Sequence, residues 1–139
     1  MTPPVVLDTN VLYAGLKSNR GASFRLLELL DSGLFEPCVS VPLVFEYESV
    51  LKRAARELGL THSDVDDVID FICGVARPQP IFFLWRPLLR DPKDDMVLEA
   101  AVEGQCEYIV THNVRDFAGA EQFGLQVLLP GAFLKLVDR

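Results

Sequence analysis

The sequence predicts an α/β fold: three layers, α/β/α, with a central parallel sheet of about five strands. Three observations predict it. Short apolar runs alternate with helical stretches along nearly all 139 residues. The runs are continuously apolar, as strands buried on both faces are. Acidic residues also recur at the ends of these runs or in the first turns of the helices, positions that an α/β fold gathers at one edge.

Each element has its own warrant. Val5-Val6-Leu7 and the Asp that closes it, residues 5–8, form a short buried strand. A first helix spans residues 9–17, and Ser18-Asn19-Arg20-Gly21 is a loop. Residues 22–31 are helical, with Phe24, Leu27 and Leu30 at helical spacing and Ser32-Gly33 as the stop. Residues 36–40 make the second strand. Pro42 suits the first turn of the next helix, which runs to Leu58 before Gly59. Thr61 caps a further helix that places Val65, Val68, Ile69 and Ile72 on one face. Pro78 and Pro80 bracket the entry to a third strand, residues 81–84. A helix covers residues 94–102 and ends at Gly104. Residues 108–111 and 126–129 are strands four and five, and Pro130 opens a short last helix. No repeat, low-complexity stretch or linker divides the chain, so one domain over residues 1–139 is expected.

Composition narrows the function. No apolar run has the ~18 residues that a membrane span needs. The three cysteines, Cys38, Cys73 and Cys106, are odd in number and widely spaced, so buried free thiols in a reducing cytoplasm are expected. The formal net charge of −7 argues against broad, charge-driven binding of nucleic acid.

Four acids stand out: Asp8, Glu46, Asp95 and Asp116. Asp8 ends a strand, Glu46 and Asp95 fall in first helical turns, and Asp116 follows a strand. All four are expected at one rim. Clustered carboxylates repel, and a divalent metal is the usual reason for bringing them together. Hard ions such as Mg²⁺ or Mn²⁺ prefer oxygen ligands and activate water for attack on a phosphodiester. Caps and solvated loop residues are the plain alternative for any one of them. Asp94 is the reserve for Asp95, and Asp91, before Pro92, is a turn residue. Arg53, seven residues after Glu46, shares its helix face and could meet a substrate phosphate. Lys17, Arg20 and Arg25 could form a second basic wall.

The motifs in order resemble the PIN domain (PilT N-terminus) family, and within it the VapC-like toxins. Val5-Val6-Leu7-Asp8-Thr9-Asn10-Val11-Leu12 is similar to the opening strand and first acid. Ser40 through Glu46 to Arg53, then Asp91-Pro92-Lys93-Asp94-Asp95-Met96-Val97-Leu98, are similar to the second and third segments. Tyr108-Ile109-Val110-Thr111-His112-Asn113-Val114-Arg115-Asp116-Phe117 is similar to the fourth. Many VapC toxins carry an Asp where this chain has Asn113.

The resemblance implies a Mg²⁺- or Mn²⁺-dependent endoribonuclease whose nucleophile is water. Asp8, Glu46 and Asp95 would hold the ion, with Asp116 completing the site. Asn10, Thr111, Asn113 and Asp94 would support it. It further implies an RNA substrate, a cognate antitoxin and a homodimer.

Two other classes compete. A Mg²⁺-binding phosphoacceptor of the response-regulator type is also small and doubly wound, but needs paired acids near the first strand and a Lys after the last. A PIN-like interaction module without nuclease activity is left open by Asn113.

Overall fold

The structure, a computed structural model, describes residues 2–78, 89 and 91–138. Among the described residues, five parallel strands form one sheet: β1 (Pro4–Leu7), β2 (Glu36–Val39), β3 (Arg77–Pro78), β4 (Tyr108–Val110) and β5 (Gln126–Leu128). Their order across the sheet is β3-β2-β1-β4-β5. Six helices flank it: α1 (Thr9–Lys17), α2 (Ala22–Glu28), α3 (Val41–Leu58), α4 (His62–Val75), α5 (Pro92–Glu103) and α6 (Pro130–Val137). This is the expected three-layer α/β/α arrangement. The third strand expected at residues 81–84 lies outside the described residues.

The sheet is the core. Val5, Val6, Ile109 and Val110 are fully buried, as their unbroken apolar runs require. Helix α2 packs on α1 and α6, and α3 packs on α1, α4 and α5. Phe133 of α6 meets Phe35 and Tyr108 edge-on or tilted, at 5.4 Å between centroids in each case, and so anchors the last helix. No described helix is long and apolar enough to cross a membrane. The cysteines are unpaired, and Cys73 is exposed, unlike buried Cys38 and Cys106.

Caps set the helix starts. Ser40 Oγ accepts from the Leu43 amide at the head of α3, with Pro42 in its first turn. Thr61 and Asp64 form a reciprocal capping box on α4. Helix α5 starts two residues before the expected position. Asp91 is its N-cap, its Oδ1 accepting from the Lys93 amide at 3.0 Å. A residue that reads as a turn before Pro92 is thus a helix cap.

The strand order also removes one competitor. A response-regulator sheet runs 2-1-3-4-5, and this one runs 3-2-1-4-5. In this order the direction of winding reverses between β1 and β4. Their C-terminal ends define the crevice where such folds bind ligands.

Candidate metal and nucleic-acid site

Strands β1 and β4 run in register, Leu7 beside Val110. The next residue on each is polar, Asp8 and Thr111, and both are buried. The Asp8 amide donates to Val110 O at 2.9 Å, which extends the ladder to the crevice. The Asp8 carboxylate then caps α1. Oδ1 accepts from the Thr9 amide, and Oδ2 accepts from the Thr111 hydroxyl, both at 2.7 Å. Burial pushes the Asp8 carboxyl up from its ordinary range, the two hydrogen bonds oppose the rise, and nearby Asp116 adds to it.

Thr111 is a hub. Besides donating to Asp8, its oxygen accepts from the Asn113 amide at 3.0 Å and faces the Asn10 side-chain amide at 3.3 Å. Asn10 Oδ1 in turn accepts from the His112 amide at 3.2 Å. The start of α1 and the loop after β4 are thereby tied together around one carboxylate.

A pocket of about 250 Å³ opens over this knot. Among the described residues its acids are Asp8, Glu46, Asp91, Asp94 and Asp116, and its one cation is Lys93. Thr9, Asn10, Tyr13, Val50 and Asn113 complete the lining. Asn113 and Asp116 both reach it because residues 114–117 form a 3₁₀ turn, in which positions three apart fall on one side. Glu46 comes from the second turn of α3, whose next residue, Tyr47, donates a buried hydrogen bond to Leu7 O at the end of β1.

Asp95 does not line the pocket. It is fully buried, and its Oδ1 accepts from the Leu89 amide at 2.8 Å. The α5 carboxylate at the pocket is Asp94. Successive residues of α5 lie about 100° apart round its axis, so with Asp94 at the pocket its neighbour Asp95 is turned away and buried. Arg53 lies outside the lining as well, exposed, with Nε donating to Ser49 O of its own helix at 3.3 Å. Among the cations expected as a second wall, Arg25 pairs with Asp138 and Glu28, and Lys17 donates to the Tyr13 hydroxyl.

The Asp94 carboxyl is pushed up to about 7 by burial first, then by Asp8, Asp91, Asp116 and Asp95. Carboxylate oxygens gathered at one pocket are a donor set suited to a hard divalent ion. Thr9 Oγ1 is buried at the same pocket with no hydrogen-bond partner among the described residues, so a polar guest fits there. No group of three or more His, Cys, Asp or Glu side chains among the described residues is yet drawn close enough to hold an ion. The fit lies in the donor chemistry of the lining carboxylates.

Sequence reasoning missed Lys93, Tyr13 and Val50. Tyr13 sits four residues after Thr9, one helical turn along the same face, and that spacing could have found it.

A PIN domain family model matches residues 4–115. No curated protein matches the chain. Among solved structures, VapBC2 from Rickettsia felis bound to a DNA fragment from their promoter contains a similar chain. The TM-score is 0.61 at 13% identity, over 89% of this chain and 98% of that one, a likeness of fold.

Proposed function

Since the chain belongs to the PIN domain family, we propose that it is a metal-dependent endoribonuclease and the toxin of a toxin–antitoxin pair. The observation that carries the nuclease reading is the convergence of Asp8, Glu46, Asp94 and Asp116 on one pocket at the winding reversal of the sheet. The motif-by-motif resemblance to VapC-like toxins supports the toxin role. With it come a cognate antitoxin, a homodimer and RNA as substrate, and the VapBC2 fold likeness is compatible with that assembly.

Asp8, Glu46, Asp94 and Asp116 would hold Mg²⁺ or Mn²⁺. Asp94 thus takes the role expected of Asp95, which instead braces the start of α5 against Leu89. The bound ion supplies Lewis acidity, which activates water and stabilises the leaving oxygen of a phosphodiester. The protein's own groups do the rest. Thr111 and the Thr9 amide fix the Asp8 carboxylate so that it does not reorganise when charge develops. Asp94, pushed up to about 7, would have to be deprotonated to serve as a ligand. Asn113, without charge, orients water at the rim. Lys93 is the cation positioned to meet the substrate phosphate, whereas Arg53 would first have to release Ser49 O.

The test is cleavage of a mixed RNA pool with Mn²⁺, with EDTA, and by Asp8→Asn. Cleavage by the wild type with Mn²⁺ alone is expected. Equal cleavage under all three conditions overturns the proposal. Mn²⁺ binding without cleavage of any RNA would favour the interaction module.

A further inference from the structure

A second cavity, of about 730 Å³, adjoins the acidic pocket across the segment Thr111-His112-Asn113. It lies between the loop joining α1 and α2 and the head of α6. Its size falls within the roughly 300–1,000 Å³ range of ligand pockets. Its chemistry is opposite to that of its neighbour. Among the described residues the lining holds Arg20, Lys135 and His112 and no carboxylate, in a chain of net charge −7. Neither Arg20 nor Lys135 forms an ion pair with any described residue, while Arg25 close by is neutralised. Charge is therefore segregated: acids collect in one pocket and unpaired cations in the next.

Two further observations point to a strand of nucleic acid. The imidazole of His112 is held by Ser23, with Oγ and Nε2 at 2.8 Å and Ser23 itself buried, so a polar ring is fixed in the lining of this cavity, one residue before Asn113 of the acidic pocket. The lining also holds the apolar residues Ala14, Leu129 and Ala132, and Leu129 is 51% exposed. Cations and an exposed apolar side chain in one cavity match a sugar-phosphate backbone and a base face.

We propose that this cavity is the binding groove for the single-stranded RNA segment flanking the scissile phosphate, with Arg20 and Lys135 on its phosphates and Leu129 against a base. The groove rests on the ribonuclease reading for its substrate. Its test does not depend on cleavage.

Binding of a labelled single-stranded RNA of about a dozen nucleotides is measured in EDTA, by anisotropy, across a salt series. The proteins are wild type, Arg20→Ala/Lys135→Ala, and Arg56→Ala as an exposed control outside both pockets. The double variant is expected to bind at least tenfold more weakly, with unchanged melting temperature. Its slope of log affinity against log salt should fall by roughly 0.7 for each phosphate that the variant no longer neutralises. Arg56→Ala should bind like the wild type. RNA affinity and salt slope unchanged in the double variant would overturn the groove. So would a weakening confined to an acidic peptide probe, which would make the cavity a seat for a protein segment. Retained binding with no cleavage by the wild type would instead fail the nuclease reading and leave the groove standing.

Discussion

The Thr111 hydroxyl donates to Asp8 Oδ2 at 2.7 Å, joining the residues that follow β4 and β1 at the point where the sheet reverses its winding. The pair lies 103 residues apart in sequence. It fixes an acid of the pocket that is itself buried. Removing the hydroxyl leaves a buried carboxylate short of a donor. Thr111→Val should cost about 2 kcal/mol in denaturant unfolding, the usual scale for a hydrogen bond to a charged group. Thr111→Ser should recover most of it. Equal destabilisation in both variants would mean that the methyl packing, not the hydroxyl, matters.

The acids of the pocket make a pH prediction for metal-free protein. An ordinary Asp titrates near 3.8, and Asp94 in the fold titrates at about 7. Between those values the folded state keeps a proton that the unfolded chain has released. The contribution of Asp94 to stability is therefore fully present below about 4 and lost as the pH rises through about 7. Asp8, also raised, acts in the same sense. Melting temperature in EDTA should fall between pH 5 and pH 8, and Asp94→Asn should flatten that fall. A fall equally steep in the variant would assign it to other groups.

The two α5 acids should separate under metal. An ion bound only by the folded state stabilises it by about 2.7 kcal/mol at a hundredfold excess over its dissociation constant. Added Mn²⁺ should raise the melting temperature of the wild type at fixed ionic strength. Asp94→Asn should lose most of that rise. Asp95→Asn should melt lower without metal, because a buried hydrogen bond to Leu89 is weakened, yet keep the rise. The reverse pattern would return the ligand role to Asp95.

Tyr47 pins α3 to β1 by donating to Leu7 O, and Glu46 is its neighbour in sequence. Burial holds its hydroxyl well above the ordinary tyrosine range, so it remains a donor at any working pH. Tyr47→Phe should cost roughly 1 to 2 kcal/mol and weaken Mn²⁺ binding several-fold by loosening Glu46. Reduced stability with unchanged Mn²⁺ affinity would show that Glu46 is positioned by the helix alone.

Much of this was legible in the sequence because local signals agreed with the fold. Val5-Val6-Leu7 and Tyr108-Ile109-Val110 are strands buried on both faces, and such runs look alike wherever they occur. Ser40, Pro42 and Thr61 each mark a helix start by a short-range mechanism. Asp8 was legible for the same reason, an acid directly after a buried strand. The α5 acids were not, because Asp94 and Asp95 are neighbours with the same side chain and only the tertiary packing of α5 decides which one reaches the pocket. Arg53 shares a helix face with Glu46, but seven residues carry it two turns along the axis, beyond the pocket. The groove beside His112 was invisible because Ser23, His112 and Lys135 meet only through tertiary packing.

The crowd of carboxylates around Asp8 excludes a polyanion as firmly as it attracts a cation. An RNA phosphate arriving first meets repulsion at the pocket, even when the neighbouring groove holds the strand. If the protein is the proposed ribonuclease, loading should follow a compulsory order, ion before scissile phosphate. Kinetically, the divalent ion should behave as an essential activator whose saturation precedes and permits productive substrate binding. The concentration of free ion then becomes a gate on turnover that acts without any moving part of the chain.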